Sequence, residues 1–305
     1  MASEEQVAAG GAQSAAPVIQ AQQFNGCSGN KPGRLRGKSR QSIRQGLGSR
    51  NFVYYAPRNL DPNVPAPLVF SPHGFTMSGE QMYDITGWVQ LADKEGFIAI
   101  FPDGGPGVGP WNVGLGICGA GAFVNGGNND QEFVNQMIEF AENDRCVDRE
   151  HVFMSGFSMG GYFSHETGCT NPNIKAISPH SGGTHTLNRC VERNLPVLIQ
   201  HFNPDLLISY DCAQDAKRKW IQRNGCSQLS PDIQRVQNGT CEFYKNCQRG
   251  QVGLCTYTQG LLGGALIGGH GWAGGNKIGL GGSFAVSGTQ NAAEMAWNFF
   301  RQHAW

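Results

Sequence analysis

The sequence predicts an α/β architecture, a mostly parallel central sheet with helices on both faces, stabilised by disulfides. Three observations carry that expectation. From residue 49 onward, short apolar runs alternate with helix-length amphipathic segments, as successive strand–helix–strand units require. With 305 residues, 39% of them hydrophobic and including 17 Phe and 6 Trp, the chain has apolar mass enough for one large core and too much for a disordered protein. Its ten cysteines are an even number with no C-x-x-C pair and no zinc-like His spacing, so five disulfides in an oxidising compartment are expected rather than a metal site.

The elements follow in order. Residues 1–23 are rich in Ala, Gln, Gly and Ser and read as a flexible tail, and residues from about 24 to 48 have few apolar anchors and read as an irregular arm. Domain organisation is thus expected as tail and arm over 1–48 and a single domain over 49–305. Asn51–Tyr55 and Pro67–Phe70 read as strands. Ser78–Glu95 carries helical spacing through Met82, Ile85, Trp88 and Leu91, and Phe97–Phe101 is a buried strand. Asp130 is placed to cap a helix whose inner side holds Phe133, Met137 and Ile138. His151–Met154 is a strand, Met159–Thr167 a helix, and Ile174–Ser178 and Pro196–Gln200 are further strands. Cys212–Asn224 reads as a helix, Cys255–Thr258 as a strand and Asn291–His303 as a closing helix, while Cys241, Cys247 and Cys255 staple what reads as a strand-poor excursion.

Two compositional features stand out. Of 44 glycines, ten fall within Gly104–Gly127 and eleven within Gly260–Gly282, without the triplet period of collagen. Lys31, Arg34, Arg36, Lys38, Arg40, Arg44 and Arg50 form a basic run with no acid among them, although the whole chain is neutral at 23 basic against 23 acidic residues. Such a run could bind nucleic acid or an anionic membrane, but no nucleic-acid motif accompanies it, and a solvated arm along an acidic body is the expected reading. No run of 18 apolar residues is present, so no membrane-spanning helix is expected. Asn238-Gly239-Thr240 is a glycosylation sequon. Glu4 and Glu5 stand where a signal peptide would be basic, leaving a replaced signal, another export route or an intracellular protein open; the cysteines favour a secreted, extracellular one.

The chemistry is concentrated at Gly156-Phe157-Ser158-Met159-Gly160, the only G-x-S-x-G in the chain. It follows the strand HVFM and opens a helix, the context in which a strained turn lifts a serine above a parallel sheet. In that order of chain a nucleophilic serine is followed by an acid and then a histidine. Of the histidines beyond Ser158 with room for an acid between, His303 sits on the terminal amphipathic helix, whereas His270 lies in the glycine loop GGHGW, and His270 is the expected base. Asp205, in the loop after the strand PVLIQ, is the leading acid, with Asp211 second. Backbone N–H groups of Met159 and of Phe75, in the loop HGFT after PLVF, are expected to bind an oxyanion, with Thr76 beside them. His73 stands too early in the chain for the base and is expected to tie that loop down by hydrogen bonds.

From about Asn51 to Trp305 the chain resembles the polyhydroxybutyrate-depolymerase/feruloyl-esterase family of α/β-hydrolases, related to carbohydrate esterases. The resemblance rests on PLVFSPHGFTMSG, TGWVQLADKEGFIAIFPDG, GPWNVG, NNDQEFV, CVDREHVFMSGFSMGGYFS, HFNPDLLISY and GGHGWAGG, in that order. It implies an α/β-hydrolase fold and a Ser158–Asp205–His270 triad. The chain departs from the family pattern at Phe202 (usually glycine), Ala273 (usually proline), Met159 (often Asn or Ala), and Val113 and Leu115 in the WN loop. Phe75, Trp111, Met159 and Trp272 are expected to line an apolar acyl pocket, and the two glycine-rich windows to form active-site loops, the second presenting His270 and the first covering the pocket.

The expected activity is that of a serine carboxylic-ester hydrolase on feruloyl or acetyl esters of plant polysaccharide, with a polyester such as polyhydroxybutyrate as the alternative substrate. A non-catalytic hydrolase fold that binds a ligand is the alternative of another class. No metal or organic cofactor and no nucleic-acid or membrane partner is implied, and the oligomeric state is left open.

Overall fold

The structure is a computed structural model, and it describes residues 33–46, 48–105, 109–113, 118, 129–185, 187–258, 268–276 and 282–305. The tail expected over 1–23, Cys27, Lys31, Leu115 and most of both glycine-rich windows lie outside the described residues.

The strands are β1 (Gly37–Gln45), β2 (Gly48–Ala56), β3 (Ala66–Phe70), β4 (Ile98–Pro102), β5 (Val147–Met154), β6 (Ala176–Ile177), β7 (Val197–Phe202), β8 (Asp232–Val236), β9 (Gly239–Tyr244) and β10 (Val252–Tyr257). They form one ten-stranded sheet in the order β1-β2-β4-β3-β5-β6-β7-β10-β9-β8. From β4 through β10 neighbours run parallel, and the two outer hairpins at either side are antiparallel. Short strands β11 (Trp272–Ala273) and β12 (Ala285–Val286) pair separately.

The helices are α1 (Gly79–Ile85), α2 (Trp88–Glu95), α3 (Asp130–Asp144), α4 (Met159–Thr170), α5 (Tyr210–Asn224) and α6 (Ala292–His303). Alternation along each strand divides the core into two layers. Leu68, Phe70, Ile98, Ile100, Val152 and Met154 pack with α3, α4 and α5, while Val69, Ala99, Phe101 and Phe153 pack with α1, α2 and α6. The central strands are therefore apolar on both faces, as a covered parallel sheet demands. Among the described residues no helix is long and apolar enough to cross a membrane.

Four expectations are corrected. The arm expected to be irregular up to residue 48 contains β1, an edge strand whose outward side chains Lys38, Arg40 and Arg44 are exposed, the charged edge that discourages pairing with another chain. Part of the basic run is neutralised locally: Lys38 pairs with Glu80, Arg40 with Asp103 at 2.8 Å, and Arg50 is fully enclosed. The single helix expected over 78–95 is two, because Gly87 takes φ 81°, which interrupts the helix and makes it the N-cap of α2. Asn129, not Asp130, caps α3, its side chain accepting the Glu132 N–H. The excursion expected to be strand-poor is the β8–β9–β10 meander, with Cys241 and Cys255 directly opposite each other in register and joined by a disulfide. The other described disulfides are Cys118–Cys212, Cys169–Cys190 and Cys226–Cys247, and Cys146 is disulfide-bonded as well.

Asp130 has a different task. Its Oδ1 accepts Arg50 Nη1 at 2.5 Å and its Oδ2 accepts the Asn112 N–H at 2.7 Å. Arg50 also donates to the carbonyls of Asp103 and Gly104, and its guanidinium lies over the Phe133 ring at 4.1 Å. This enclosed ion pair joins β2, α3 and the segments that follow β4. Removing one partner strands the other charge, so Asp130→Ala should destabilise the protein by about 3–5 kcal/mol in chemical denaturation. A loss below about 1 kcal/mol would contradict this role.

Candidate active site

Ser158 lies between β5 and α4 with φ 55° and ψ −117°, a left-handed conformation that L-residues rarely adopt. Backbone contacts hold it there. The Ser158 N–H donates to His180 O at 2.8 Å and the Phe157 N–H to Pro72 O at 3.1 Å. The flanking glycines are needed for space: a Cβ on Gly160 would lie 2.0 Å from Pro72 O, and one on Gly156 would lie 2.3 Å from Gly160 O.

The acid loop leaves the end of β7. Asp205 Oδ1 accepts the N–H groups of Leu207 (3.0 Å) and Ile208 (2.9 Å), which fixes the carboxylate and leaves Oδ2 for His270 Nδ1 at 2.8 Å. Because a carboxylate oxygen accepts, Nδ1 carries the proton and Nε2 is the nitrogen left for chemistry. Both side chains are buried. The structure thus brings Asp205 and His270 together, while Asp211 lies in the first turn of α5, where its N–H donates to Ser209 Oγ. His303 sits on α6 with its ring against Phe299.

The loop after β3 lies against the serine. A Cβ on Gly74 would be 3.1 Å from Ser158 Cβ, so Phe75 and Thr76 follow directly from a point of contact with the elbow. Thr76 takes φ 62° and the Phe75 side chain is 49% exposed. His73 ties the loop down as expected: Nδ1–H donates to Gly74 O at 2.6 Å, and Nε2 accepts the Gly104 N–H at 2.9 Å. Met159 opens α4, where first-turn N–H groups have no partner within the helix.

Trp111 and Trp272, expected to line the substrate pocket, are fully enclosed. Trp111 stacks on Phe163 at 4.5 Å and donates Nε1–H to His73 O, while Trp272 donates Nε1–H to Thr86 O and stacks on His180 at 5.1 Å. Both stand behind the site and brace its loops. Sequence reasoning overlooked Leu206 and Leu207, 75% and 48% exposed next to Asp205, which with Phe75 put apolar surface beside the site. It also overlooked His201, whose Nε2–H donates to Ile208 O at 2.9 Å and lies 3.5 Å from Asp205 Oδ2. The signal was available: polar residues at the carboxyl ends of parallel strands gather on one side of such a sheet.

Among curated proteins the chain is 32% identical over 183 residues to a bifunctional acetylxylan esterase/xylanase of Neocallimastix patriciarum, covering 60% of this chain and 25% of that protein. It is 27% identical over 240 residues to feruloyl esterase B of Piromyces equi, covering 69% and 42%. With feruloyl esterase C of Emericella nidulans it shares 27% over 263 residues, covering 83% and 84%. The chain is thus similar to feruloyl and acetylxylan esterases. It spans a quarter of the length of the first of these relatives and less than half of the second. No family model matches the chain. The acetyl xylan esterase structure from Aspergillus awamori superposes with a TM-score of 0.56 at 18% identity, covering 72% of this chain and 92% of that one. A thermostable esterase gives 0.53 at 14% identity, covering 76% and 58%. At these identities the structural likeness shows the α/β-hydrolase fold.

Several imidazoles in and behind this region are held neutral by burial. It lowers the pKa of His73, His180 and His201 below the usual histidine value of 6.5, and that of His165 to about 3, with the Lys219 charge adding to the last. His165 Nδ1 accepts Trp220 Nε1–H at 2.9 Å, a bond that needs that nitrogen unprotonated. Below pH 6.5 the unfolded chain takes up protons that these folded imidazoles refuse, so stability falls as the pH drops toward 3. Denaturation curves between pH 7 and about pH 4 should show that fall, and His165→Phe should make it shallower. An unchanged slope in the variant would contradict the assignment.

Proposed function

We propose that the chain is a secreted serine carboxylic-ester hydrolase acting on feruloyl or acetyl esters of plant polysaccharide. One observation carries this reading: the Asp205–His270 hydrogen bond of 2.8 Å between loops at the carboxyl end of a sheet that also presents Ser158 on a left-handed elbow. The names of the relatives, feruloyl esterase and acetylxylan esterase, support the substrate class. Four described disulfides support an oxidising compartment.

In this mechanism Ser158 Oγ attacks the ester carbonyl while His270 Nε2 takes its proton. Asp205 keeps the Nδ1–H tautomer and stabilises the imidazolium. The N–H groups of Met159 and Phe75 receive the oxyanion. His270 then gives its proton to the departing alcohol, and water, deprotonated by the same imidazole, releases the acid from the acyl-serine. Phe75, Leu206 and Leu207 offer apolar surface to the acyl group, with Thr76 beside them.

Ser158→Ala should lower turnover of p-nitrophenyl acetate by roughly 10⁴-fold or more. Equal slow turnover by both proteins would favour a non-catalytic binding protein instead. For substrate class, methyl ferulate and acetylated xylan should be hydrolysed faster than a polyhydroxybutyrate film; preferential erosion of the film would identify a polyester depolymerase.

A further inference from the structure

His180, in the loop after β6, has no part in the proposed chemistry, yet it touches both halves of the site. Its backbone is bonded to the nucleophile elbow: His180 O accepts the Ser158 N–H at 2.8 Å, and the His180 N–H donates to Gly156 O at 2.9 Å. Its ring is bonded to the histidine loop, Nε2 accepting the Ala273 N–H at 3.2 Å. For Nε2 to accept, the proton must sit on Nδ1, which faces Ser181 Oγ at 3.1 Å. The ring cannot swing, because it is fully enclosed between Tyr257 (6.0 Å, 9° between planes), Trp272 (5.1 Å), Phe157 (6.0 Å) and Phe202 (5.8 Å). Phe157 in turn lies 4.9 Å from the His270 ring.

We propose that His180 is a positioning residue that sets the distance between nucleophile and base, fixing the elbow through its main chain and the His270 loop through its ring. The loop has other anchors. Asn291 Nδ2 donates to Gly274 O, the Gly274 N–H donates to Val286 O, and the Leu206 N–H donates to Gly268 O. These tie the loop to its surroundings, whereas the bond from Ala273 refers it to the serine. It exists because residue 273 is alanine, where the family pattern has proline, which has no N–H to donate. Burial supports the arrangement by keeping the imidazole uncharged, so that Nε2 stays an acceptor.

This inference rests on the Ser158–His270 reading, and a double-mutant cycle separates the two. His180→Phe keeps a ring of similar size without an acceptor, His180→Gln restores an oxygen acceptor, and Ala273→Pro removes the donor while leaving His180 intact. For p-nitrophenyl acetate, His180→Phe and Ala273→Pro should each lower kcat by about ten- to a hundred-fold with KM little changed, as expected of misplacement between reacting groups. His180→Gln should recover most of the rate. The double variant His180→Phe/Ala273→Pro should be no slower than the slower single variant, because both remove the same bond. Multiplicative losses in the double variant, equal losses in the Phe and Gln variants, or full kcat in Ala273→Pro would each overturn the proposal. An active wild type with an inactive Ser158→Ala keeps the esterase reading standing in those cases, and its absence would overturn both. Ala273→Pro replaces none of the rings packed around His180, so the test survives if His180→Phe fails to fold.

Discussion

The backbone of Ser158, held at φ 55° and ψ −117° between β5 and α4, is the constraint on which the rest of the arrangement depends. A non-glycine residue in such a conformation costs of order 1–3 kcal/mol and persists only where its surroundings over-determine it. Here they do so from three directions. Pro72 accepts from Phe157, His180 accepts from Ser158, and the bare Cα atoms of Gly156 and Gly160 let the backbone of β3 and its loop approach to a distance that no side chain would allow. The loop after β3, the elbow and the loop after β6 are therefore one packed unit. Moving any of them moves the serine.

Around that unit the fold distributes charge sparingly. Asp205 is satisfied by two backbone N–H groups and one imidazole, all supplied by segments within a few residues of a strand end. The buried histidines 73, 180 and 201 serve as neutral hydrogen-bonding struts, each with at least one ring nitrogen bonded to a backbone group. Arg50 and Asp130 remain charged, an enclosed ion pair that fastens the edge hairpin to the helix layer and reaches the segment just after β4. The ion pair makes directed bonds to three loop carbonyl or amide groups, which apolar packing could not supply.

Much of the architecture was legible because apolar runs of four or five residues with turn-forming residues close by have few other readings. PLVF, FIAIF and HVFM all became central strands. The elbow was legible because a motif and its strand–helix context coincide. The strand β1 was not, since an edge strand with Lys38, Arg40 and Arg44 on one side and Ser39 and Gln41 on the other buries too little to leave an apolar signature. The break at Gly87 was hidden inside a continuous helical spacing, and the roles of Trp111 and Trp272 could not be read because an aromatic residue beside a catalytic motif looks alike whether it faces a ligand or the core. The partnership of Asp205 with His270 could be inferred from chain order, whereas that of His180 with Ala273 depends on a tertiary contact between residues 93 positions apart.

In the proposed mechanism Ser158 is the one activated nucleophile. Treatment with diethyl p-nitrophenyl phosphate tests it most directly, since an activated serine oxygen bonds to phosphorus as p-nitrophenolate leaves. Ester turnover should be lost in step with one diethylphosphoryl group per chain, located by peptide mass mapping on Ser158. Loss of turnover with the group on another residue, or full turnover with Ser158 labelled, would contradict it.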